Sequence, residues 1–238
     1  MTEDYINRLA ELNRVFYSKL SGEFDKSRDR PWPGWDLLWK YFDENEFIPA
    51  AVLDAGCGNA RFLEFLSGKV NDFTYLGIDS SRELLAIARR KYGNKNVRFR
   101  VVDLLKIQPL DEQSDLITLF AVLHHIPGFS NRLKVLDNLS RNLSPSGYLV
   151  FTGWNILQDS KLAAKVRPWS EAGIEPAGLE EGDLLLDWRK TGIYRYYHSF
   201  HDGEVRQMIA ESGLKLVYEY KADGEAGHLN TYYVCQVD

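Results

Sequence analysis

The sequence predicts a doubly wound α/β fold, with a mostly parallel seven-stranded sheet, a C-terminal antiparallel hairpin and helices on both faces. Three observations lead there. Residues 52–61, Val-Leu-Asp-Ala-Gly-Cys-Gly-Asn-Ala-Arg, read as a buried strand, a tight turn and a helix start. Apolar runs and helical patterns then alternate as far as Thr152, the spacing of right-handed βα units. Two last apolar runs, 214–220 and 231–237, are joined by a connection short enough for a hairpin.

Each element has its own signal. Ile6, Leu9, Leu12, Val15, Phe16 and Leu20 share one helical face over 4–20. The run Arg28-Asp29-Arg30-Pro31-Trp32-Pro33-Gly34-Trp35 is a rigid loop, because each proline fixes φ and holds its predecessor extended. Asp36 is the expected cap of a helix reaching about residue 45. The core opens with a strand at 52–55 and a helix at 60–67. Gly56 and Gly58 let the backbone bend and a ligand approach without a Cβ in the way. A strand at 74–78 follows, then Ser80 or Ser81 as N-cap, with Glu83 in the first turn of a helix ending near 92–93. Strands are expected at 97–102 and 115–122, the latter apolar on both faces. A helix at 132–143 stops at Ser144-Pro145-Ser146-Gly147, and a strand occupies 148–152. Residues 153–194, with Pro168 and Pro176, show no period and read as an insertion over the ligand-facing edge or a partly mobile lid. A helix at 202–212 ends at Gly213 before the hairpin.

Composition sets outer bounds. The 238 residues, 45% hydrophobic and 26% charged, suit one sizeable soluble domain. Its expected parts are an N-terminal helical extension (1–46), a core (50–152), an insertion (153–200) and a closing helix with hairpin (201–238). No apolar run is long enough to cross a membrane, and the acidic N-terminus lacks a secretory h-region. Cys57 and Cys235 are too few for a metal cluster or disulfide framework and read as buried thiols of a cytoplasmic protein. A net charge of −5 gives no global attraction to nucleic acid, so RNA binding would need local patches.

Ligands of open α/β sheets bind beyond the carboxyl ends of the strands. The acids and histidines that fall there are Asp54, Asp79, Asp103, His124 and His125. Acids in such places also cap helices, so the reading depends on their order rather than on any one of them. A dinucleotide site would carry a third glycine where Arg61 stands. The order strand-Asp-x-Gly-x-Gly, strand-Asp79, strand-Asp103, strand-His124-His125 resembles instead the class I S-adenosylmethionine-dependent methyltransferases, from about residue 50 to 152. The resemblance implies a Rossmann-like fold and S-adenosyl-L-methionine as cofactor. It implies that the turn of Asp54, Gly56, Cys57 and Gly58 holds the methionine end, and that Asp79 with Ser80 binds the ribose. Asp103 with Leu104 would contact the adenine, and Phe120 and Ala121 would line the same site.

Three flanking stretches narrow the resemblance: residues 28–35, Gly182-Asp183-Leu184-Leu185-Leu186-Asp187-Trp188, and Arg195-Tyr196-Tyr197-His198-Ser199-Phe200 with Gly203-Glu204. With the core they resemble the tRNA wobble-uridine methyltransferases, over roughly residues 14–236. That family esterifies the carboxylate of 5-carboxymethyluridine at anticodon position 34, which makes a tRNA anticodon loop the implied partner. Its eukaryotic members work with a small zinc-binding activator subunit. A carboxylate is ionised at neutral pH and needs placement and desolvation rather than a base. Arg28, Arg30 and Arg195 are the expected grips for its charge and the adjoining phosphates. Trp32, Tyr196 and Tyr197 could stack on a splayed base, although Trp32 could equally pin the N-terminal helix and Tyr197 could be core. His125 or His124 polarises substrate or lines the cofactor, and His198 holds a phosphate or caps a turn. No metal site is expected. Two other readings stay open. One is a small-molecule O- or N-methyltransferase with His125 as base, the other a cofactor-binding scaffold without catalysis.

Overall fold

Alternating side chains on the central strands feed two separate apolar layers, and that alternation decides where every helix goes. A computed structural model describes the chain except residues 27–29, 94, 189–190 and 238. Arg28 therefore lies outside the described residues. Strands β1 (Ala51–Ala55), β2 (Thr74–Asp79), β3 (Val97–Val101), β4 (Ser114–Leu119), β5 (Leu143–Gly153), β9 (Leu214–Ala222) and β10 (Asn230–Val237) form one sheet, in the order β3-β2-β1-β4-β5-β10-β9. Strands β3 to β5 pair in parallel, and β10 runs antiparallel between β5 and β9. Leu53, Ile117, Leu149 and Phe151 face α5 (Phe129–Ser140) and α7 (Asp202–Glu211). Val52, Leu116, Tyr148 and Val150 face α2 (Pro33–Glu44), α3 (Arg61–Ser67) and α4 (Arg82–Lys91). Each fully buried aliphatic side chain in these layers contributes about 1.5–3 kcal/mol. Strand order reverses between β1 and β4, which opens a crevice at their carboxyl ends.

The edge strand β3 is blunted by charge. Arg98 and Arg100 both pair with Glu112, the latter at 2.7 Å, which discourages pairing with another sheet.

Several boundaries differ from the sequence reading. Helix α2 begins at Pro33 with Trp32 as its N-cap, so Asp36 sits in the first turn instead of capping it. Proline is favoured at that first position because its missing N–H would be unsatisfied there anyway. Helix α5 ends at Ser140, and β5 begins at Leu143 and runs through Ser144-Pro145-Ser146-Gly147 with a register irregularity opposite Ser114–Leu116.

The largest difference is in 153–194. Here a short helix, α6 (Ser160–Ala163), precedes β6 (Val166–Arg167), β7 (Asp183–Asp187) and β8 (Tyr194–His198), which form a second, antiparallel sheet. Helix α1 (Glu3–Lys26) packs across it, burying Leu9, Asn13, Phe16 and Leu20. Leu9 meets Ile174 and Tyr196 in a satellite core. The far end of α1 is tied to the glycine turn, where Asp25 accepts from Asn59 at 2.7 Å and pairs with Lys91 at 2.8 Å.

A buried ionic network joins the second sheet to the main one. Arg132 on α5, 1% exposed, pairs with Glu180 at 2.8 Å and Glu204 at 2.7 Å. The His198 ring donates from Nδ1 to Asp183 at 2.8 Å and from Nε2 to Glu204 at 2.9 Å. Glu180, Asp183 and His198 lie close enough together to hold an ion, but with both ring nitrogens donating the histidine offers no lone pair to a metal. Burial opposes charge on His198, yet Asp183 and Glu204 outweigh it and hold its pKa above the ordinary 6.5. Burial likewise opposes charge on Glu204, and His198 with Arg132 holds its pKa below the ordinary 4.5.

The sign follows from linkage. A raised histidine pKa stabilises fully below about pH 6.5 and is lost as pH rises through the folded-state value, whereas the Glu204 part is lost as pH falls through its lowered pKa. Urea unfolding should therefore show stability declining as pH rises above 6.5. In His198→Gln that decline should vanish, and a variant that keeps it would assign the pH dependence to another group.

Candidate functional site

The glycine turn is fixed by hydrogen bonds that also shape its acids. Gly56 N–H donates to the Ile78 carbonyl at 2.7 Å, and Gly58 N–H donates to Asp79 Oδ2 at 2.9 Å. Asp79 Oδ1 accepts from Ser81 N–H at 2.7 Å, so one carboxylate ties the turn to the start of α4. Ser81 is the N-cap, accepting from Leu84 N–H at 3.2 Å. The two glycines serve different ends. Gly56 has φ +76°, and a Cβ there would lie 2.3 Å from Val122. Gly58 has φ +55°, and a Cβ would meet nothing closer than Leu84 Cδ1 at 3.8 Å, so the space above it is open.

Asp54 is 3% exposed and accepts from the Tyr75 hydroxyl at 2.6 Å and the Thr118 hydroxyl at 2.8 Å. Burial pushes its pKa up to about 6 despite those hydrogen bonds, and the nearby Asp79 adds to the rise. Asp103 caps the short turn Leu104–Lys106, accepting from Leu105 N–H at 3.1 Å. It lines the cavity as well, so the capping and ligand-facing readings coexist. Ala121 follows β4 with φ 58°, its N–H donating to Thr152 Oγ1 at 2.8 Å.

One cavity at the carboxyl ends of the strands joins all ten positions expected to line the cofactor. Asp54, Gly56, Cys57 and Gly58 come from the first turn, Asp79 and Ser80 from the second strand end, Asp103 and Leu104 from the third, Phe120 and Ala121 from the fourth. The cavity continues to Trp32, His124, His125, Arg195 and Tyr197.

Arg195 is 6% exposed. Its guanidinium carbon lies 4.2 Å from the Phe16 ring, 4.8 Å from Trp188 and 4.8 Å from Tyr197. Its Nε is buried without a hydrogen bond, and among the described residues no carboxylate pairs with it. Strand alternation explains its neighbours. Arg195 and Tyr197 face the cavity, whereas Tyr196 and His198 point to the other side. There the Tyr196 hydroxyl donates to Asp183 at 2.8 Å and His198 joins the ionic network. Arg30 is exposed, and only its carbonyl approaches the site, accepting from Arg61 at 3.0 Å. Trp32 lines the cavity and packs on Trp35 at 5.4 Å.

The histidines divide. His124 is fully buried, stacked on Tyr197 at 5.0 Å and tilted against Trp154 at 4.4 Å. His125 is held by α1 and β8, its Nδ1 3.1 Å from the Tyr196 carbonyl and its Nε2 3.1 Å from the Tyr17 hydroxyl. A carbonyl only accepts, so this nearer contact puts the proton on Nδ1 and leaves Nε2 to accept from Tyr17, and it prevails over the longer approach of the donating Asn13 amide to Nδ1 at 3.4 Å. Asn13 completes the knot, accepting from Tyr196 N–H at 3.0 Å and donating to the His125 carbonyl at 3.3 Å.

Sequence reasoning passed over Asn13, Tyr17, Arg61 and Trp154, all of which line the cavity. Asn13 and Tyr17 had a faint signal as polar groups four apart on a helix otherwise read by its apolar stripe. Trp154 had a stronger one, standing one residue beyond a strand end where ligands bind. Arg61 lies over Trp32 at 4.9 Å and Trp35 at 5.1 Å, in the place a third glycine would take.

A family model described as a methyltransferase domain matches residues 10–219. A candidate methyltransferase of Encephalitozoon cuniculi is 30% identical over 203 residues, covering 85% of this chain and 86% of that one. An Arabidopsis thaliana tRNA (carboxymethyluridine(34)-5-O)-methyltransferase is 29% identical over 162 residues, covering 67% of this chain but only 37% of its own length. A solved S-adenosylmethionine-dependent methyltransferase from Clostridium acetobutylicum superposes with a TM-score of 0.68 at 16% identity, covering 93% of this chain and 98% of that one, a likeness of fold.

Two measurements test this geometry. A cationic ligand beside Asp54 favours the ionised carboxylate, so S-adenosylmethionine affinity should climb as pH rises through about 6. The slope below that value is up to roughly tenfold per pH unit for one linked proton. Titration calorimetry should find the slope gone in Asp54→Asn; an unchanged slope would place the linked proton elsewhere. Asp79→Ala should cost about 1–3 kcal/mol of S-adenosylmethionine binding through lost charged hydrogen bonds, and undiminished affinity would mean that the carboxylate does not face the ligand.

Proposed function

The chain belongs to the methyltransferase-domain family and takes its methyl group from S-adenosylmethionine, and from that premise we propose that the acceptor is the carboxymethyl group of a tRNA wobble uridine. One observation carries this reading: a buried cation, Arg195, that lines the cavity with no carboxylate beside it among the described residues. An unpaired buried charge costs several kcal/mol unless something compensates it. Three aromatic faces return part of that, at about 0.5–2 kcal/mol each. An anionic substrate supplies the rest.

The cofactor's place fits the residues present. The open space above Gly58 and the carboxylates of Asp79 and Asp103 suit a nucleoside with a charged tail. Bound S-adenosylmethionine supplies an electrophilic methyl group on a sulfonium. Arg195 orients the acceptor carboxylate, one oxygen of which bonds to the methyl carbon as the carbon–sulfur bond breaks and sulfur keeps the electron pair. No proton moves, so no base is needed. Opposite charges merge along this path, and the aromatic walls that exclude water favour the less charged transition state.

A hydroxyl or amine acceptor would need a base, and His125 is already committed to Tyr17 and the Tyr196 carbonyl. That weighs against the small-molecule alternative. The tRNA assignment draws on the named activity of the Arabidopsis relative, of which this chain spans about a third. Trp32 on the cavity wall is the candidate platform for a splayed base. A tRNA substrate and the buried thiols of Cys57 and Cys235 both favour a cytoplasmic setting. The comparisons lend no support to a zinc-binding activator subunit, and the proposal stands without one.

Incubating the full chain with labelled S-adenosylmethionine and tRNA bearing 5-carboxymethyluridine should give a base-labile methyl ester at the wobble position. Arg195→Ala should lower that activity by roughly 100-fold, with S-adenosylmethionine affinity little changed. Absence of the ester, or parallel loss of methylation and cofactor binding in the variant, would contradict the assignment.

A further inference from the structure

More than nine in ten buried polar groups in folded proteins find a hydrogen-bond partner, so orphans that line a cavity point to a ligand. Two stand out here. Arg195 Nε is one; Trp154 Nε1 is the other, on a side chain 7% exposed, directly after the end of β5. Both residues line the cavity. Both lie against the same ring, the Trp154 indole 5.9 Å from the Tyr197 centroid and the Arg195 guanidinium carbon 4.8 Å from it. Ring contacts with His124, tilted at 4.4 Å, and with Tyr197, stacked at 5.9 Å, hold the indole in place, so its N–H direction is set before any ligand arrives.

Both groups can only donate. Their ligand must be an acceptor, and the guanidinium makes an anion the favoured one. We propose that Trp154 is a substrate-binding residue whose indole N–H holds one oxygen of the carboxylate that Arg195 neutralises. The inference rests on the carboxylate-methylation reading above and deepens it by assigning the two oxygens different tasks. The oxygen held by Trp154 is withdrawn from reaction. The other keeps its lone pairs and bonds to the methyl carbon as the carbon–sulfur bond breaks, with the electron pair going to sulfur. A carboxylic-acid anion thereby becomes the substrate class, in preference to a phosphate, whose extra oxygen and charge this one-cation, one-indole arrangement leaves unmatched.

Trp154→Phe keeps an aromatic ring beside His124 and removes the N–H together with part of the indole, so the unchanged binding of S-adenosylhomocysteine serves as the check that the cavity has kept its shape. The full chain, saturated with S-adenosylhomocysteine, is titrated with 5-carboxymethyluridine, phenylacetate and inorganic phosphate. Wild type should bind both carboxylates. The variant should bind each of them roughly tenfold more weakly, as for one hydrogen bond to a charged group, with S-adenosylhomocysteine affinity within about twofold. Turnover on tRNA should show the loss chiefly in KM. If the tRNA reading alone is wrong, phenylacetate still binds with the same sensitivity to Trp154→Phe while 5-carboxymethyluridine is neither bound nor methylated. No carboxylate binding by wild type, equal affinities in wild type and variant, a matching loss of S-adenosylhomocysteine binding, or phosphate binding tighter than phenylacetate would each overturn the inference.

Discussion

A guanidinium removed from water has to be compensated, and at Arg195 part of that compensation comes from aromatic faces. Phe16 belongs to α1, Trp188 to the stretch after β7 and Tyr197 to β8, so the cage exists only when helix and second sheet are assembled. Cation–π contacts soften the burial cost without satisfying the N–H groups. The site is thus built with a buried N–H left unpartnered, at an expense the rest of the fold must cover.

What covers it is the scaffold on either side. Asn13 and Tyr17 bind α1 to β8 and His125, and Asp25 binds the same helix to Asn59 in the glycine turn. One helix therefore runs from the second sheet to the glycine turn. Behind β8, the chain Arg132–Glu204–His198–Asp183 locks the second sheet to α5 and α7. Such networks are poor sources of net stability but costly to break, which suits a device that fixes register. Asp54, its pKa raised at the opposite end, is the matching electrostatic tension on the cofactor side.

The main sheet and the glycine turn were legible because their signals are local. Apolar runs mark β1, β2 and β4, and position at a strand end identifies Asp54, Asp79 and Asp103 without tertiary knowledge. The second sheet was not legible. Strand β6 has two residues, and Tyr194-Arg195-Tyr196-Tyr197-His198 is buried along both faces, so no polar–apolar alternation separates Arg195 and Tyr197 from Tyr196 and His198. Side assignment there depends on α1, which lies more than 160 residues away in the chain. Trp154 escaped for another reason. Its indole reads as core until the donor is seen to lack a partner.

The most direct test is the structure of the chain with S-adenosylhomocysteine and 5-carboxymethyluridine bound together. The account predicts the carboxylate within hydrogen-bond distance of both Arg195 and Trp154, with one oxygen turned toward the sulfur. Arg195 engaged instead by the amino-acid carboxylate of the cofactor, or turned away from the sulfur, would contradict it.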